Sequence, residues 1–400
     1  MSEEQRAPLA GVKVIEFTHM VMGPAAGLIL ADMGADVIKI EPTGGDNTRR
    51  LPGSGAGYFP MYNRNKRSLC VDLKSEAGKA AVLKLIDEAD VVIENFRAGT
   101  MDRLGFGYDA LSARNPRLIY CSEKGFLSGP YEHRTALDEV AQMMGGLAYM
   151  TGPPGQPLRA GTSVIDVQGG MFGATGVLAA LFQREVTGKG QQVVASLYES
   201  TVFLVGQHMA QYAVTGKAAA PMPARVSAWA IYQVFDTGDD DQVFVGVVSD
   251  KQWKVFCEAF GLDEFANDSS LDTNNDRVTH KDRILPVIKE TFRKYTKAQL
   301  MDKLEKTGLP FAPIAKPEEL FDDPHLAAGG GLLQLTVTDG EHKGDEARLP
   351  GLPLEMGGER FGVRLDVPRA GEHTRQILGQ AGYGPDEIES MLADGVVSGE

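Results

Sequence analysis

The sequence predicts a doubly wound α/β protein, with a Rossmann-like large domain and a smaller α+β domain. Three observations support this prediction. Short apolar strands alternate with amphipathic helices through the first half, a stretch rich in proline and small residues follows over residues 215–225, and a hairpin pattern begins beyond it. Such an alternation favours a parallel sheet covered by helices on both faces.

The first half begins with a βαβ pattern. Val12–Phe17 is a predicted strand, Ala25–Met33 a helix that Gly34 ends, and Asp36–Glu41 a second strand. The alternation continues with one amphipathic helix and two strands, over Lys79–Asp90, Val91–Phe96 and Leu118–Ser122.

The second half predicts a separate, smaller unit. Its hairpin strands are expected over Ala228–Phe235 and Gln242–Val248, and its helices over about Lys251–Phe260 and Lys281–Leu304. The expected parts are a large domain over residues 1–214, a linker over 215–227, a small α+β domain over 228–325 and a segment over 326–400 that returns to the large domain.

Composition excludes several classes of function. The 400 residues include 54 acidic and 40 basic side chains, a net charge of -14 that argues against binding nucleic acid or an anionic membrane. The N-terminus lacks a signal peptide pattern, and the longest apolar run, Gly169–Phe182, is too short to cross a bilayer. Cys70, Cys121 and Cys257 form no C-x-x-C pair, so a reducing cytoplasm is expected.

The familiar cofactor motifs are absent. No G-x-G-x-x-G follows the first strand, where the chain instead has Thr18–Gly27, so a nicotinamide or flavin enzyme is disfavoured. There is also no P-loop, H-E-x-x-H or G-x-S-x-G pattern, and none of the seven histidines is paired at ligand spacing. We therefore expect no permanently bound cofactor and no metal site.

Asp166 precedes a well-marked helical pattern. Taken alone, an aspartate in this position favours a helix N-cap. Four glycines follow at positions 169, 170, 173 and 176, although each glycine inside a helix costs about 0.5–1 kcal/mol. They indicate close packing or the approach of another backbone or a ligand.

Eight stretches follow one another in a recognisable order: Leu9–Phe17 with Gly23-Pro24, Leu30–Glu41, Asn65–Ser68 with Asp72–Lys74, Asp90–Phe96, Asp102–Gly105, the Asp166 segment continuing into Gln183–Gln191, Gly308–Pro310, and Gly371–Thr374. Any one of them is a weak signal. Together they resemble the family III CoA-transferases, a group that includes formyl-CoA transferase and the CaiB/BaiF proteins. The resemblance covers nearly the whole chain.

This resemblance implies an enzyme that moves coenzyme A from an acyl-CoA to a free carboxylic acid. Asp166 matches the family's catalytic aspartate, which forms an acyl-aspartyl anhydride and then an aspartyl-CoA thioester. An ordinary aspartate is already ionised at neutral pH and needs no activating base. The acyl-CoA is then a substrate, and the residues expected near coenzyme A are His19, Lys39, Asn95, Arg103, Lys124 and Glu139.

The segment Leu137-Asp138-Glu139 departs from two relatives within this group. Formyl-CoA transferase has an aromatic residue next to the acid where this chain has Leu137-Asp138-Glu139. Its polyglycine flap has no counterpart here because Gly329–Gly331 lies too late. The α-methylacyl-CoA racemases look to carry Gly-His-Asp at this point, and a leucine cannot exchange protons. The alternatives to a dicarboxylate CoA-transferase are a racemase, a formyl or oxalyl CoA-transferase, and a non-catalytic CoA-binding subunit. The first two are disfavoured by these departures.

Residues 134–146 most resemble those of family members that act on short dicarboxylic acids, such as mesaconate, succinate or malate, and this resemblance implies an acceptor of that type. Its second carboxylate needs a cation, for which Arg49, Arg50, Arg159 and Arg225 are candidates. The resemblance also implies an interlocked homodimer.

Overall fold

The computed structural model describes residues 7–225, 227–338 and 342–399. The chain forms two compact units. Met1–Pro223 and Pro324–Glu400 belong to the first unit, and Ala224–Asp323 forms the second.

The strands of the described residues are, in chain order, β1 Lys13–Phe17, β2 Asp36–Glu41, β3 Lys66–Val71, β4 Val91–Glu94, β5 Ile119–Lys124, β6 Gln192–Ser196, β7 Ile231–Asp236, β8 Gln242–Val247, β9 Phe311–Pro313, β10 Leu332–Thr336, β11 Glu346–Pro350, β12 Glu355–Met356, β13 Glu359–Arg360 and β14 Val397–Ser398.

The α-helices are α1 Met22–Asp32, α2 Tyr58–Tyr62, α3 Glu76–Asp87, α4 Thr100–Leu104, α5 Tyr108–Arg114, α6 Asp138–Met144, α7 Leu147–Thr151, α8 Val164–Thr187, α9 Leu197–Leu204, α10 Gly206–Thr215, α11 Asp250–Phe260, α12 Asp263–Ala266, α13 Asn274–Thr279, α14 Lys281–Phe292, α15 Lys297–Glu305, α16 Pro324–Ala328, α17 Thr374–Gln380 and α18 Pro385–Ala393. Short 3₁₀ helices cover Asn47–Arg50, Gly53–Gly57, Met222–Ala224, Ser269–Leu271 and Pro317–Asp322.

A seven-stranded sheet forms the centre of the first unit. Its strand order is β14-β3-β2-β1-β4-β5-β6, and all neighbours are parallel except β14, which pairs antiparallel with β3. The order from β3 to β6 is that of a Rossmann-type sheet, whose ligands bind beyond the carboxyl ends of the strands. The doubly wound fold class is confirmed.

Helices cover both faces of this sheet because its strands are apolar on both sides. On one face, α1 and α8 contribute Leu30, Ala31 and Val177 to a core that also contains Val14 and other strand residues. On the other face, the core is completed by apolar side chains of α3, α4, α5, α17 and α18. The C-terminal helices therefore belong to the core of the first unit.

The glycines of α8 are explained by close packing. A Cβ at Gly170 would lie 2.6 Å from the carbonyl oxygen of Met22, at the start of α1. A Cβ at Gly173 would overlap Glu123 of β5, and one at Gly176 would lie 2.5 Å from Val193. Neighbouring atoms of the protein thus occupy the space that a side chain would need at these positions. The glycines are therefore explained without a ligand.

The second unit contains a three-stranded antiparallel sheet, in the order β7-β8-β9, and its own apolar core. The predicted hairpin is present as β7 and β8. The single helix predicted over Lys281–Leu304 is wrong, since α14 ends at Phe292 and α15 begins at Lys297. Thr296 interrupts it because its hydroxyl caps α15, and Gln299 completes a reciprocal capping box.

By length and composition alone, α8 is long and apolar enough to cross a membrane. This is weak support for a membrane span, because the core helix of a soluble protein passes the same test. Within the first unit α8 packs its glycine face on α1 and β5.

Candidate active site

A cavity of about 610 Å³ lies in the first unit, within the range of small-molecule sites. Its walls come from the ends of β4 and β5, the starts of α1, α6 and α8, and the segment that precedes α6. Ligand sites in open α/β sheets lie at this edge. Asp166 is one of the lining residues.

Asp166 occupies the first turn of α8 rather than its cap. The helix begins at Val164, and the N-cap residue Ser163 makes no side-chain hydrogen bond to the first turn. The cap interpretation of Asp166 is therefore wrong. Its carboxylate is available to the cavity because another residue accepts the hydrogen bonds of the backbone N–H groups at the start of the helix.

Asp138, the first residue of α6, provides that acceptor. Its Oδ2 accepts hydrogen bonds from the backbone N–H groups of Ile165, at 2.8 Å, and Asp166, at 3.1 Å. Its Oδ1 accepts a short hydrogen bond from Gln142. A carboxylate from a different helix thus caps α8 and fixes the backbone of Asp166.

Gln142 extends this network to the loop before α8. Its side chain is fully buried, and its Oε1 accepts a hydrogen bond from the backbone N–H of Ala160 at 2.8 Å. Arg159 donates to the carbonyl of Ala160 and forms an ion pair with Glu139. Two residues of α6 therefore hold the segment that leads into Asp166.

The environment raises the pKa of Asp166 to about 7. Burial is the main cause, the nearby negative charge of Asp138 adds to it, and Arg159 opposes it. The expectation of an ordinary, fully ionised aspartate is therefore wrong. Close to neutral pH, this carboxyl exchanges between its acid and its carboxylate.

His19 and Asn95 form one wall of the cavity. The side chain of Asn95 accepts from the backbone N–H of His19 at 3.0 Å and donates to its carbonyl at 2.9 Å. The ring of His19 lies 5.5 Å from that of Phe96, and burial lowers its pKa. His19 is thus a fixed imidazole that favours the neutral form.

A layer of buried charges supports the loop between β1 and α1. The ammonium group of Lys39 donates to the carbonyl of Thr18 at 2.7 Å and lies 3.5 Å from Glu16. Lys66 contacts Glu16 at 2.8 Å and the carbonyl of Pro24 at 2.9 Å, and burial lowers its pKa to about 8. These charges fix backbone positions on both sides of the first turn of α1.

The predicted site residues therefore divide into two groups. Asp166, His19, Asn95, Lys124 and Glu139 line the cavity. Lys39 and Arg103 do not: Lys39 is fully buried in the charged layer, and Arg103 is exposed and donates to Thr100. Lys124 contacts Glu94 at 2.5 Å, so its charge is already paired. Contacts of these residues with coenzyme A stay a prediction.

The four predicted arginines are also separated by the fold. Arg49 makes a two-pronged pair with Glu41, and Arg50 bonds to nearby carbonyls and Asn47. Arg159 lies near Asp166, while Arg225 falls in the second unit. The cavity itself is lined by Arg97 and Arg134, and neither forms an ion pair with a carboxylate in the described part of the chain.

Two residues that line the cavity, Asp138 and Glu123, were not identified as site residues from the sequence. Asp138 was noted only within the Leu137-Asp138-Glu139 segment, and no local pattern shows that it caps a helix beginning far later in the chain. Glu123 is the last residue but one of β5 and is buried beside the cavity. The available signal was a charged residue two positions after the apolar run Ile119–Cys121. Among the described residues, no cluster of His, Cys, Asp and Glu fits a metal ion.

Comparison with known proteins places the chain among CoA-transferases. The model of CoA-transferase family III matches residues 9–374. A succinate–glutarate CoA-transferase of Agrobacterium fabrum is 35% identical over 392 residues, covering 94% of this chain and 96% of that protein. An acetyl-CoA:oxalate CoA-transferase of Acetobacter aceti is 36% identical over 360 residues, covering 88% and 90%. The crystal structure of a CaiB/BaiF family protein from Brucella suis superposes with a TM-score of 0.82 at 31% identity, covering 94% and 99%.

The first prediction concerns the electrostatic influence of Asp138. Asp138→Asn should lower the pKa of Asp166 below its value of about 7, because a neighbouring negative charge is removed while one oxygen remains to accept from the helix start. Titration of ¹³C-labelled aspartate carboxyls by NMR measures this change. Glu132→Gln, at an exposed carboxylate of the same cavity, is the control and should leave the pKa unchanged. An unchanged or higher pKa in Asp138→Asn would contradict the assignment.

Proposed function

The chain belongs to CoA-transferase family III, and from that premise we propose that it transfers coenzyme A from an acyl-CoA to a short dicarboxylic acid through covalent intermediates on Asp166. The observation that supports this most directly is the carboxyl group of Asp166. It lies at the wall of a ligand-sized cavity, on a backbone fixed by Asp138, and has a pKa near neutrality.

The proposed reaction begins when the Asp166 carboxylate attacks the thioester carbonyl. A C–O bond forms, the C–S bond breaks, and the coenzyme A thiolate leaves a mixed anhydride. The thiolate then attacks the aspartyl carbonyl, which releases the first carboxylate and gives an aspartyl-CoA thioester. The acceptor carboxylate repeats these two steps in reverse order, and Asp166 is regenerated. Only the ionised form of Asp166 attacks, so turnover needs a pH near or above about 7.

Each of these steps passes through a tetrahedral oxyanion that needs hydrogen-bond donors. The first turn of α1 lies beside the cavity, where Met20 and Met22 line its wall. The N-cap residue of α1, Val21, provides no side-chain hydrogen bond, and the first turn of this helix contains no acidic residue. We therefore assign the backbone N–H groups at the start of α1 as the donors, which the buried charges of Lys39 and Lys66 hold in place.

A dicarboxylic acceptor fits the charges of the cavity. The relatives described above are named for oxalate, succinate and glutarate, which are all diacids. A second carboxylate that enters a cavity containing Asp166 and Glu139 would be repelled unless a cation receives it. Arg97 and Arg134 line this cavity and have no carboxylate partner in the described residues, so one of them is the proposed receptor.

A homodimer is the proposed assembly. Large apolar side chains are exposed on α8, α9 and α10: Met171, Phe172, Phe182, Val186, Phe203, Leu204, Met209, Tyr212 and Val214. Phe182, Val186 and Val214 are 79%, 84% and 85% exposed. Patches of this kind mark association surfaces, and the family resemblance favours a second copy of the chain as the occupant.

Replacing Asp166 tests the covalent mechanism. Asp166→Ala and Asp166→Asn should each reduce kcat by at least ~10³-fold, since the nucleophile is lost. Hydroxylamine added during turnover should leave a hydroxamate on Asp166 of the unmodified protein, detected by peptide mass spectrometry, and none on the variants. Asp386→Asn, at an exposed aspartate of α18, is the matched control and should retain full activity. Undiminished turnover in Asp166→Ala would disprove the mechanism.

An acceptor panel tests the substrate class. With succinyl-CoA as donor, we expect C4 and C5 diacids to give kcat/KM values at least ~10-fold above acetate, because a charged hydrogen bond contributes about 1.5–3 kcal/mol. Arg97→Gln and Arg134→Gln should identify the receptor, since the relevant variant loses this preference while the other variant keeps it. Equal rates with acetate and the diacids would defeat the proposal.

The dimer can be tested by sedimentation velocity at micromolar concentration. The unmodified protein should sediment as a dimer, and Phe203→Glu should shift it towards monomer because a charge enters the apolar face. Ala80→Glu, at an exposed position of α3, is the control. A protein that sediments as a monomer before any substitution would refute the assembly.

A further inference from the structure

Glutamates lie at or next to the carboxyl ends of the neighbouring strands β2, β1, β4 and β5, and among the described residues only the glutamate of β5 has no paired cation. Glu94 of β4 points to one face of the sheet and contacts Lys124 at 2.5 Å. Glu16 of β1 points to the opposite face and contacts Lys66 at 2.8 Å. Glu123 of β5 lies on the same face as Glu16, because side chains alternate along a strand. Neither carboxyl oxygen of Glu123 has a hydrogen-bond partner within the described residues.

Helix α8 closes directly over Glu123. The residue is 2% exposed, and a Cβ at Gly173 would overlap its Oε1 atom. Gly173 follows Asp166 by two helical turns, so the two residues lie on the same face of α8. The carboxyl group of Glu123 thus forms part of the surface on which the helix bearing Asp166 rests.

The groups around Glu123 are mostly acidic. Glu16 on β1, Glu94 on β4 and Asp166 on α8 all disfavour a charge at this position. Lys66 of β3 opposes them but is already bound to Glu16.

The other nearby elements in the described part of the chain supply no free cation. The neighbouring strand β6 carries no titratable side chain. On α1 the titratable residue is Asp32, which pairs with Arg64 at 2.6 Å. On β5 itself, Lys124 belongs to the opposite face, and burial raises the pKa of the Cys121 thiol. An ionised Glu123 would therefore be a buried charge without a counter-ion.

We propose that Glu123 is a positioning residue: as an uncharged carboxylic acid it seats the glycine face of α8 on the sheet, and loss of its proton displaces the helix start that carries Asp166 and ends turnover at alkaline pH. The activity part of this inference rests on the proposed function. The protonation and packing of Glu123 do not, because they follow from the fold alone.

The sign of the pH effect follows from the two carboxyl groups. Burial, followed by Glu16, Glu94 and Asp166, raises the pKa of Glu123 to about 8. Asp166 has to lose its proton above about 7, whereas Glu123 has to keep its own up to about 8. The active protonation state, with Asp166 ionised and Glu123 protonated, therefore predominates only in the pH interval from about 7 to about 8. Ionisation of Asp166 sets the acid limit of this interval, and ionisation of Glu123 sets its alkaline limit.

Stability provides a test that does not depend on activity. In the unfolded chain Glu123 ionises near 4.5, so the cost of burying it should develop as the pH rises from there to about 8 and stay constant above. Glu123→Gln, a neutral residue of the same shape, should be more stable than the unmodified protein, and the difference in denaturation midpoint should grow over this interval and then level off. Glu76→Gln, at an exposed glutamate of α3, should show no such trend.

Activity provides the second test. Above pH ~8, kcat of the unmodified enzyme should fall about tenfold per pH unit, while Glu123→Gln should keep its activity and show only the acid limb near 7. The KM for acyl-CoA should stay the same in both. An alkaline limb that persists in Glu123→Gln, or a large loss of kcat at neutral pH, would overturn the inference.

Infrared spectroscopy of the unmodified protein covers the case in which Glu123→Gln does not fold. With ¹³C-labelled glutamate, the folded protein at pH ~7 should show the carbonyl band of a protonated, buried carboxylic acid, which disappears above ~8. Absence of this band would refute the neutral acid. If the enzyme showed no transferase activity at all, the proposed function would fail, while the infrared and stability results would still decide the state of Glu123.

Discussion

The two hydrogen bonds that Asp138 accepts from the start of α8 are the interaction on which the rest of the site depends. They replace a side-chain cap that Ser163 does not provide, and they hold the backbone of Asp166 at 3.1 Å from a buried carboxylate. Burial raises the pKa of Asp166, and the same negative charge adds to this rise. Asp138 therefore fixes the position of Asp166 and also contributes to its reactivity, since a group that accepts from the backbone of a residue is necessarily close to its side chain.

A second constraint acts from below the cavity. Glu16 of β1, Lys39 of β2 and Lys66 of β3 are charged at positions where a strand of this kind would ordinarily be apolar, and all three are fully buried. Unpaired charges in such a place would destabilise the fold, but Glu16 is paired with Lys39 and Lys66. Both lysines also donate to main-chain carbonyls, at Thr18 and Pro24. The charged layer thus fixes the backbone between β1 and α1, beside Asp166, without presenting a free charge to the cavity.

The fold and the candidate nucleophile were largely predictable from the sequence. The alternation of apolar strands and helices predicts a parallel sheet covered on both faces, and the first unit contains such a sheet because its strands are buried on both sides. The alternation does not give the strand order, in which β1 lies between β2 and β4. The family resemblance is confirmed, and it identified Asp166 against a local pattern that favours a helix cap. A local pattern cannot show that the cap comes from Asp138, since only the folded chain brings α6 to the start of α8.

Other features of the site depend on partners that sequence does not show. Lys39 looks like a basic residue at a strand end, yet its ammonium is buried between Glu16 and Asp46. The glycines of α8 look suited to a ligand, yet they are explained by Met22 and Glu123. In each case the decisive atom lies on a segment remote in sequence. The sequence shows that a charged residue in an apolar strand or a glycine in a helix is unusual. Which residue contacts it is shown only by the tertiary structure.

The burial of Asp166 has opposite effects on the two states that the proposed reaction requires. A rise in pKa from 3.8 to about 7 corresponds to about 4 kcal/mol of preference for the uncharged form. An anhydride or a thioester on this side chain is uncharged at the same atoms, so the burial that disfavours the free carboxylate favours the acylated enzyme. The cost is that only about half of the Asp166 side chains are ionised at neutral pH. Deeper burial would leave too little nucleophile, whereas exposure would remove this preference and admit water to the intermediates. Arg159, which lowers the pKa of Asp166, and Asp138, which raises it, hold the side chain between these limits.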